Sequence, residues 1–94
     1  MIIGACTIKL RLPGNGSLKG KRSVLKSLIS RLRREFNVSV AEVDLHDLWQ
    51  MAVIGVVCVS NRQAYAHGLL AQAIEWIECH RLDLQLVDYE IEML

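Results

Sequence analysis

Residues Ser17–Phe36 read SLKGKRSVLKSLISRLRREF, and the fold follows from how this stretch divides. At 3.6 residues per turn, Val24, Leu25, Leu28, Ile29, Leu32 and Phe36 fall on one arc. Beside that arc Lys19, Arg22, Lys26 and Arg33 recur at i, i+3, i+7 and i+14, and beyond them lie Ser23, Ser27 and Ser30. The spacing predicts a helix that docks on a core and shows solvent a ridge of positive charge. Ser17 is placed to cap it, since its hydroxyl can accept from the free amides of the first turn. Gly20 stands where a capping box would place Glu, which weakens that cap.

Upstream, Ile2–Leu12 alternates in its second half, with Ile8, Leu10 and Leu12 on one side and Thr7, Lys9 and Arg11 on the other. Pro13-Gly14-Asn15-Gly16 ends this first strand. Downstream, Val38–Leu45 is rich in β-branched residues and reads as a second strand, followed by a polar turn at His46-Asp47. Trp49–Ser60 (WQMAVIGVVCVS) is apolar on both faces, as a central strand would be. Ser60-Asn61-Arg62-Gln63 has the form of a capping box that starts a second helix running to about His80. Its docking arc holds Ala66, Leu69, Leu70, Ala73 and Ile77, with Tyr65 and Trp76 at the edge. In Leu84–Met93, Val87, Tyr89, Ile91 and Met93 alternate against Asp88, Glu90 and Glu92, a half-exposed last strand.

The order is βαββαβ. Right-handed crossovers interleave the two βαβ units in one antiparallel sheet of order 4-1-3-2 with both helices on one face. The fold class is therefore α+β, a ferredoxin-like sandwich, and residues 1–94 form one domain. On the open face Lys9 and Arg11 should lie beside Asp88 and Glu90. The third strand offers Trp49, Met51, Val53, Val57 and Val59 on one face and Ala52, Ile54, Val56 and Cys58 on the other, and the helices can cover only one of the two. An apolar strip of that kind is an interaction surface, so a homo-oligomer, most simply a dimer, is expected.

Composition narrows the function classes. Apolar residues make up 52% of the 94, yet the longest apolar run, Ala52–Val59, falls far short of a membrane span. The start, Met1-Ile2-Ile3-Gly4-Ala5-Cys6, lacks the charged leader of a signal and reads as strand, so a cytoplasmic protein is expected. Cys6, Cys58 and Cys79 show no C-x-x-C pair and no metal-ligand spacing. Net charge is only +1, but the signs are separated. Residues 1–34 carry nine Lys and Arg and no acid, whereas residues 35–94 carry all ten acids with only Arg62 and Arg81. A basic face of this kind attracts phosphate-rich partners whatever the total charge.

Three ordered stretches, Ser17–Val24, Phe36–Asp44, and Asp47–Gln50 leading to Val59-Ser60-Asn61, resemble the YlxP-like family of small bacterial proteins of unknown function. The family usually shows an acidic residue where this chain has Gly20. The resemblance implies a ferredoxin-like domain whose gene often neighbours those for translation initiation and ribosome maturation. It implies no activity.

Candidate chemistry is sparse. The central strands lack the paired aromatics with which RNA-recognition domains of this fold stack bases, Trp49 being their only aromatic. The ridge of Lys19, Arg22, Lys26 and Arg33 suits contact with a phosphate backbone instead, in an RNA or a ribosomal particle. A second candidate is an anion-binding loop made by Gly14, Asn15, Gly16 and Ser17 with Lys19 and Lys21 at a helix N-terminus, serving a dimeric regulatory module. It lacks the G-x-x-x-x-G-K-[ST] spacing of a P-loop. His46 between Asp44 and Asp47 reads as a solvated turn rather than a metal site. With no nucleophile–base–orienter set in view, a non-enzymatic protein without cofactor or metal is expected.

Overall fold

The computed structural model describes all 94 residues. They form β1 (Ile2–Arg11), α1 (Leu18–Glu35), β2 (Ser39–Asp44), β3 (Met51–Ser60), α2 (Gln63–His80) and β4 (Gln85–Met93). The strands make one antiparallel sheet in the order β2-β3-β1-β4, which is 4-1-3-2 read from the other edge. The ferredoxin-like arrangement expected from βαββαβ is the arrangement found. No helix is long and apolar enough to cross a membrane.

The core lies between the sheet and the helices. Cys6, Ile8 and Leu10 of β1 and Ala52, Ile54, Val56 and Cys58 of β3 face inward and are buried. Leu25, Leu28 and Leu32 of α1 close over them, the last two with no exposed surface at all. α1 packs against β2, while α2 lies across β1, β3 and β4. That crossing is close at Gly4, where a Cβ would sit 3.0 Å from Leu70 Cδ1 and 3.2 Å from Cys58 Sγ.

Several local expectations are corrected. β3 begins at Met51, not Trp49; Trp49 lies in the bend before the strand and is 53% exposed. The second helix has no capping box: Arg62 occupies the cap without a side-chain bond, and Ser60 Oγ accepts from the amide of Arg62 instead. Its buried arc is Ala66, Leu70, Ala73, Ile74 and Ile77, which moves Ile74 in, leaves Leu69 half-buried and leaves Tyr65 exposed. In β4 a register shift pairs Lys9 with Asp88 but Leu10 with Leu86. Val87 is thus the extra residue of a bulge and is exposed, and Leu86 takes the inward place expected of Val87. The same shift sets Arg11 opposite Gln85, while Glu90 lies opposite Thr7.

After α2, the Arg81 guanidinium bonds both carboxylate oxygens of Asp83, at 3.0 and 2.8 Å, and reaches Ser27 of α1 at 3.5 Å. The hydrogen bond from Arg81 holds the Asp83 carboxyl below its ordinary range. Its contribution to stability is therefore complete at neutral pH and is lost as pH falls through the lowered value.

Cutting Leu28 or Leu32 to Ala should cost about 2–5 kcal/mol in denaturant unfolding, because each leaves a cavity among fixed neighbours. A second check uses the thiols. Burial pushes the Cys6 thiol up to about 11, whereas Cys79 is exposed. At neutral pH an alkylating reagent should modify Cys79 in the native protein and reach Cys6 only after denaturation, as read by mass spectrometry of the peptides.

Candidate nucleic-acid interface

The site is set by which way α1 is turned. Its inward side carries Leu25, Leu28, Leu32 and also Lys21, which is only 2% exposed. With that side fixed, Lys19, Arg22, Lys26 and Arg33 all fall on exposed surface. None of the four takes part in any of the chain's three ion pairs. Arg33 is partly engaged: its Nη2 donates to the carbonyl of Val40 at 2.8 Å, tying the ridge to edge strand β2. Arg31 belongs to the opposite flank, where its guanidinium lies 5.6 Å from the Trp76 ring centroid and 3.6 Å from Glu35 Oε1. Trp76 in turn stacks on His80, with centroids 5.1 Å apart.

Lys21 has a different task. Its Nζ donates to the carbonyl of Leu45 at 2.7 Å and to that of His46 at 3.4 Å, and lies 2.9 Å from Glu42 Oε2. Two hydrogen bonds thus run to the turn after β2, and the charge as a whole faces the carboxylate of Glu42. Leu45 sits in the left-handed region at φ 57°, a conformation that costs a non-glycine residue about 1–2 kcal/mol. The bond from Lys21 to its carbonyl helps to hold it there. Glu42 Oε2 is buried and meets no donor in hydrogen-bond alignment, so the contact is ionic. Around this pair Leu18, Lys21, Arg22, Glu42, His46 and Asp47 line a hollow of about 180 Å³. Arg22 belongs both to the ridge and to that hollow. No group of three or more His, Cys, Asp or Glu side chains is placed to hold a metal ion.

The loop of Gly14, Asn15, Gly16 and Ser17 is also internally engaged. Asn15 Nδ2 donates to the carbonyls of Ser17 and Trp49, and Gln50 Nε2 donates to the carbonyl of Asn15. Ser17 Oγ accepts from the amide of Gly20 at 2.9 Å, the cap the sequence suggested. A Cβ at Gly20 would run into Asn15 Oδ1, so glycine here follows from the asparagine clamp. Of the loop's candidate ligands, Lys19 is exposed and in no ion pair, while Lys21 is turned inward onto Glu42 and the carbonyls of Leu45 and His46.

Sequence reasoning missed the Lys21–Glu42 pair, the Asn15 clamp and the Arg33–Val40 bond. The first had a signal. Lys21 lies on the helical arc between Leu28 and Leu32, and Glu42 shares the parity of buried Val40. A lysine and a glutamate both on core-facing positions are placed to pair. The asparagine clamp and the arginine bond join segments through loop and edge geometry, for which residue spacing carries no signal.

A family model described as "Protein of unknown function (DUF503)" matches residues 3–91. The chain belongs to this DUF503 family. The uncharacterized protein YlxP of Bacillus subtilis (strain 168) is 36% identical over 63 residues, covering 67% of this chain and 68% of that protein. The DUF503 match reaches into every strand and covers both helices, so it extends over the whole sandwich of this chain rather than one motif.

Lys21→Met should destabilise the protein by an amount below the roughly 3–5 kcal/mol lost when a fully buried pair is broken, because Glu42 keeps 22% of its surface. Adding Glu42→Leu should recover part of the loss, since the orphaned carboxylate is then gone. Chemical denaturation of the two variants checks both statements.

Proposed function

We propose that this protein is a non-enzymatic accessory factor that docks on the phosphate backbone of a structured RNA, such as that of a ribosomal particle. The observation that carries the reading is the row of Lys19, Arg22, Lys26 and Arg33, exposed on one flank of α1 and paired with no carboxylate. Fourteen residues of helix span ~21 Å, enough to meet several phosphates. Neutralising each one should contribute roughly 0.7–0.9 to the slope of log affinity against log salt.

Phosphate contact rather than base reading is the mode that fits. Neither central strand contains an aromatic residue, so the sheet offers no platform for stacked bases. Charge placement adds support. Binding is electrostatic and tolerant of sequence, which suits a rigid helix that presents long flexible cations. The anion-loop alternative has no comparable support, because Asn15, Ser17 and Lys21 spend their polar groups within the chain.

The test is charge reversal at positions that hold no structural bond. Arg22→Glu together with Lys26→Glu should weaken binding across many RNA sequences, make the salt slope shallower, and leave stability within about 0.5 kcal/mol. Arg33 is unsuitable as the first choice, since its reversal would also break the bond to Val40. Unchanged co-sedimentation of the double variant with ribosomal particles would overturn the reading.

A further inference from the structure

The sheet face away from the helices is apolar and charged at once, and the three registers show how its side chains lie in rows. One row runs Asp44, Val53, Lys9, Asp88 from edge to edge. The next runs Ala41, Gly55, Thr7, Glu90, and the third Ser39, Val57, Ala5, Glu92. Val57 and Val59 are 38% and 64% exposed, and Val43, at a register shift in β2, is 52% exposed. A Cβ on Gly55 would meet Val43 Cγ1 at 3.1 Å, so Val43 leans across the middle of this face. Lys9 and Asp44 have no partner within ion-pair distance, although both signs share one row.

We propose that this face is the interface of a two-fold dimer, with the axis running along β3. Such an axis sets β3 on the partner's β3 and β2 over the partner's β1, at equal height along the strands. Val53 and Val57 then meet their own copies on the axis. Asp44 comes over Lys9 of the partner subunit, and by symmetry the pair forms twice. Asp88, Glu90 and Glu92 of β4 fall outside the overlap, where they stay solvated. This placement answers both features of the face: it covers the apolar strip and gives Lys9 a carboxylate. A second copy is the occupant that supplies a valine row and a Lys–Asp pair at the same spacing. The basic flank of α1 lies on the helix side of the sheet and remains free.

Three overlapping strands give a footprint of about 30 Å by about 14 Å per subunit, below the roughly 1,200 Å² total of standard interfaces, so a weak, reversible dimer is expected. Sedimentation velocity should show the full-length protein as a dimer at about 100 µM, a concentration suited to an interface of this size. Val57→Asp puts two carboxylates on the axis and should raise the dissociation constant at least ~100-fold, with circular dichroism confirming the fold. Lys9→Glu and Asp44→Lys should each weaken the dimer ~10-fold, and the Lys9→Glu/Asp44→Lys double swap should restore it. A wild-type monomer at that concentration would overturn the proposal. So would a dimer that Val57→Asp leaves intact, or a double swap as weak as the single variants.

Discussion

A buried ammonium group orders this molecule. Moving Lys21 out of water costs several kcal/mol unless its charge is met by a counter-charge and by hydrogen-bond acceptors. The partners lie on one short segment: Glu42 at the end of β2, and the carbonyls of Leu45 and His46 just beyond it. Satisfying them fixes the first turn of α1 against the end of β2, holds Leu45 in its left-handed conformation, and sets the rotation of the helix. Once Lys21 points inward beside Leu25, Leu28 and Leu32, its neighbours Lys19 and Arg22 must point out. The exposed ridge is thus a consequence of the buried pair. One cation is used for architecture so that the others are left for solvent or a partner.

What the sequence disclosed, and what it did not, follows the same division. Periodicity alone placed six elements and their order, because the sheet is covered on one face and side-chain parity shows it. Leu28, Leu32, Ile54 and Val56 are buried where their spacing required. Parity failed at Val87, where a bulge shifts the count by one and Leu86 takes the core position. The capping-box reading failed at Ser60 because the strand there bonds the amide of Arg62 before the helix begins. The ridge was legible as spacing. The role of Lys21 was not, because grouping it with a glycine loop obscured its place on the buried arc. A charged residue at a core-facing position should prompt a search for its counter-charge on the facing strand. Here that search leads to Glu42.

The two flanks of the molecule have opposite chemistry, and this is why a net charge of +1 says little. The α1 flank gathers cations with a single acid, Glu35, at its end. The sheet's open face gathers Asp44, Asp88, Glu90 and Glu92 around Lys9, Arg11 and a valine row. Helix and sheet separate these fields by the thickness of the core, so each can meet a different partner without neutralising the other.

The edges of the sheet decide how it can associate. Two strand edges are open to pairing, at β2 and β4. At β2, Arg33 occupies the carbonyl of Val40 and a register shift near Val43 breaks the ladder. At β4, a bulge at Val87 and the carboxylates of Asp88, Glu90 and Glu92 blunt the other edge. Both devices oppose growth of the sheet by addition of strands. Lateral pairing is thereby disfavoured on both sides, while the valine-bearing face keeps its acids Asp88, Glu90 and Glu92 on β4, away from β3. What remains for self-association is the stacking of faces, and the two-fold arrangement proposed for it would close on itself rather than extend into a fibre.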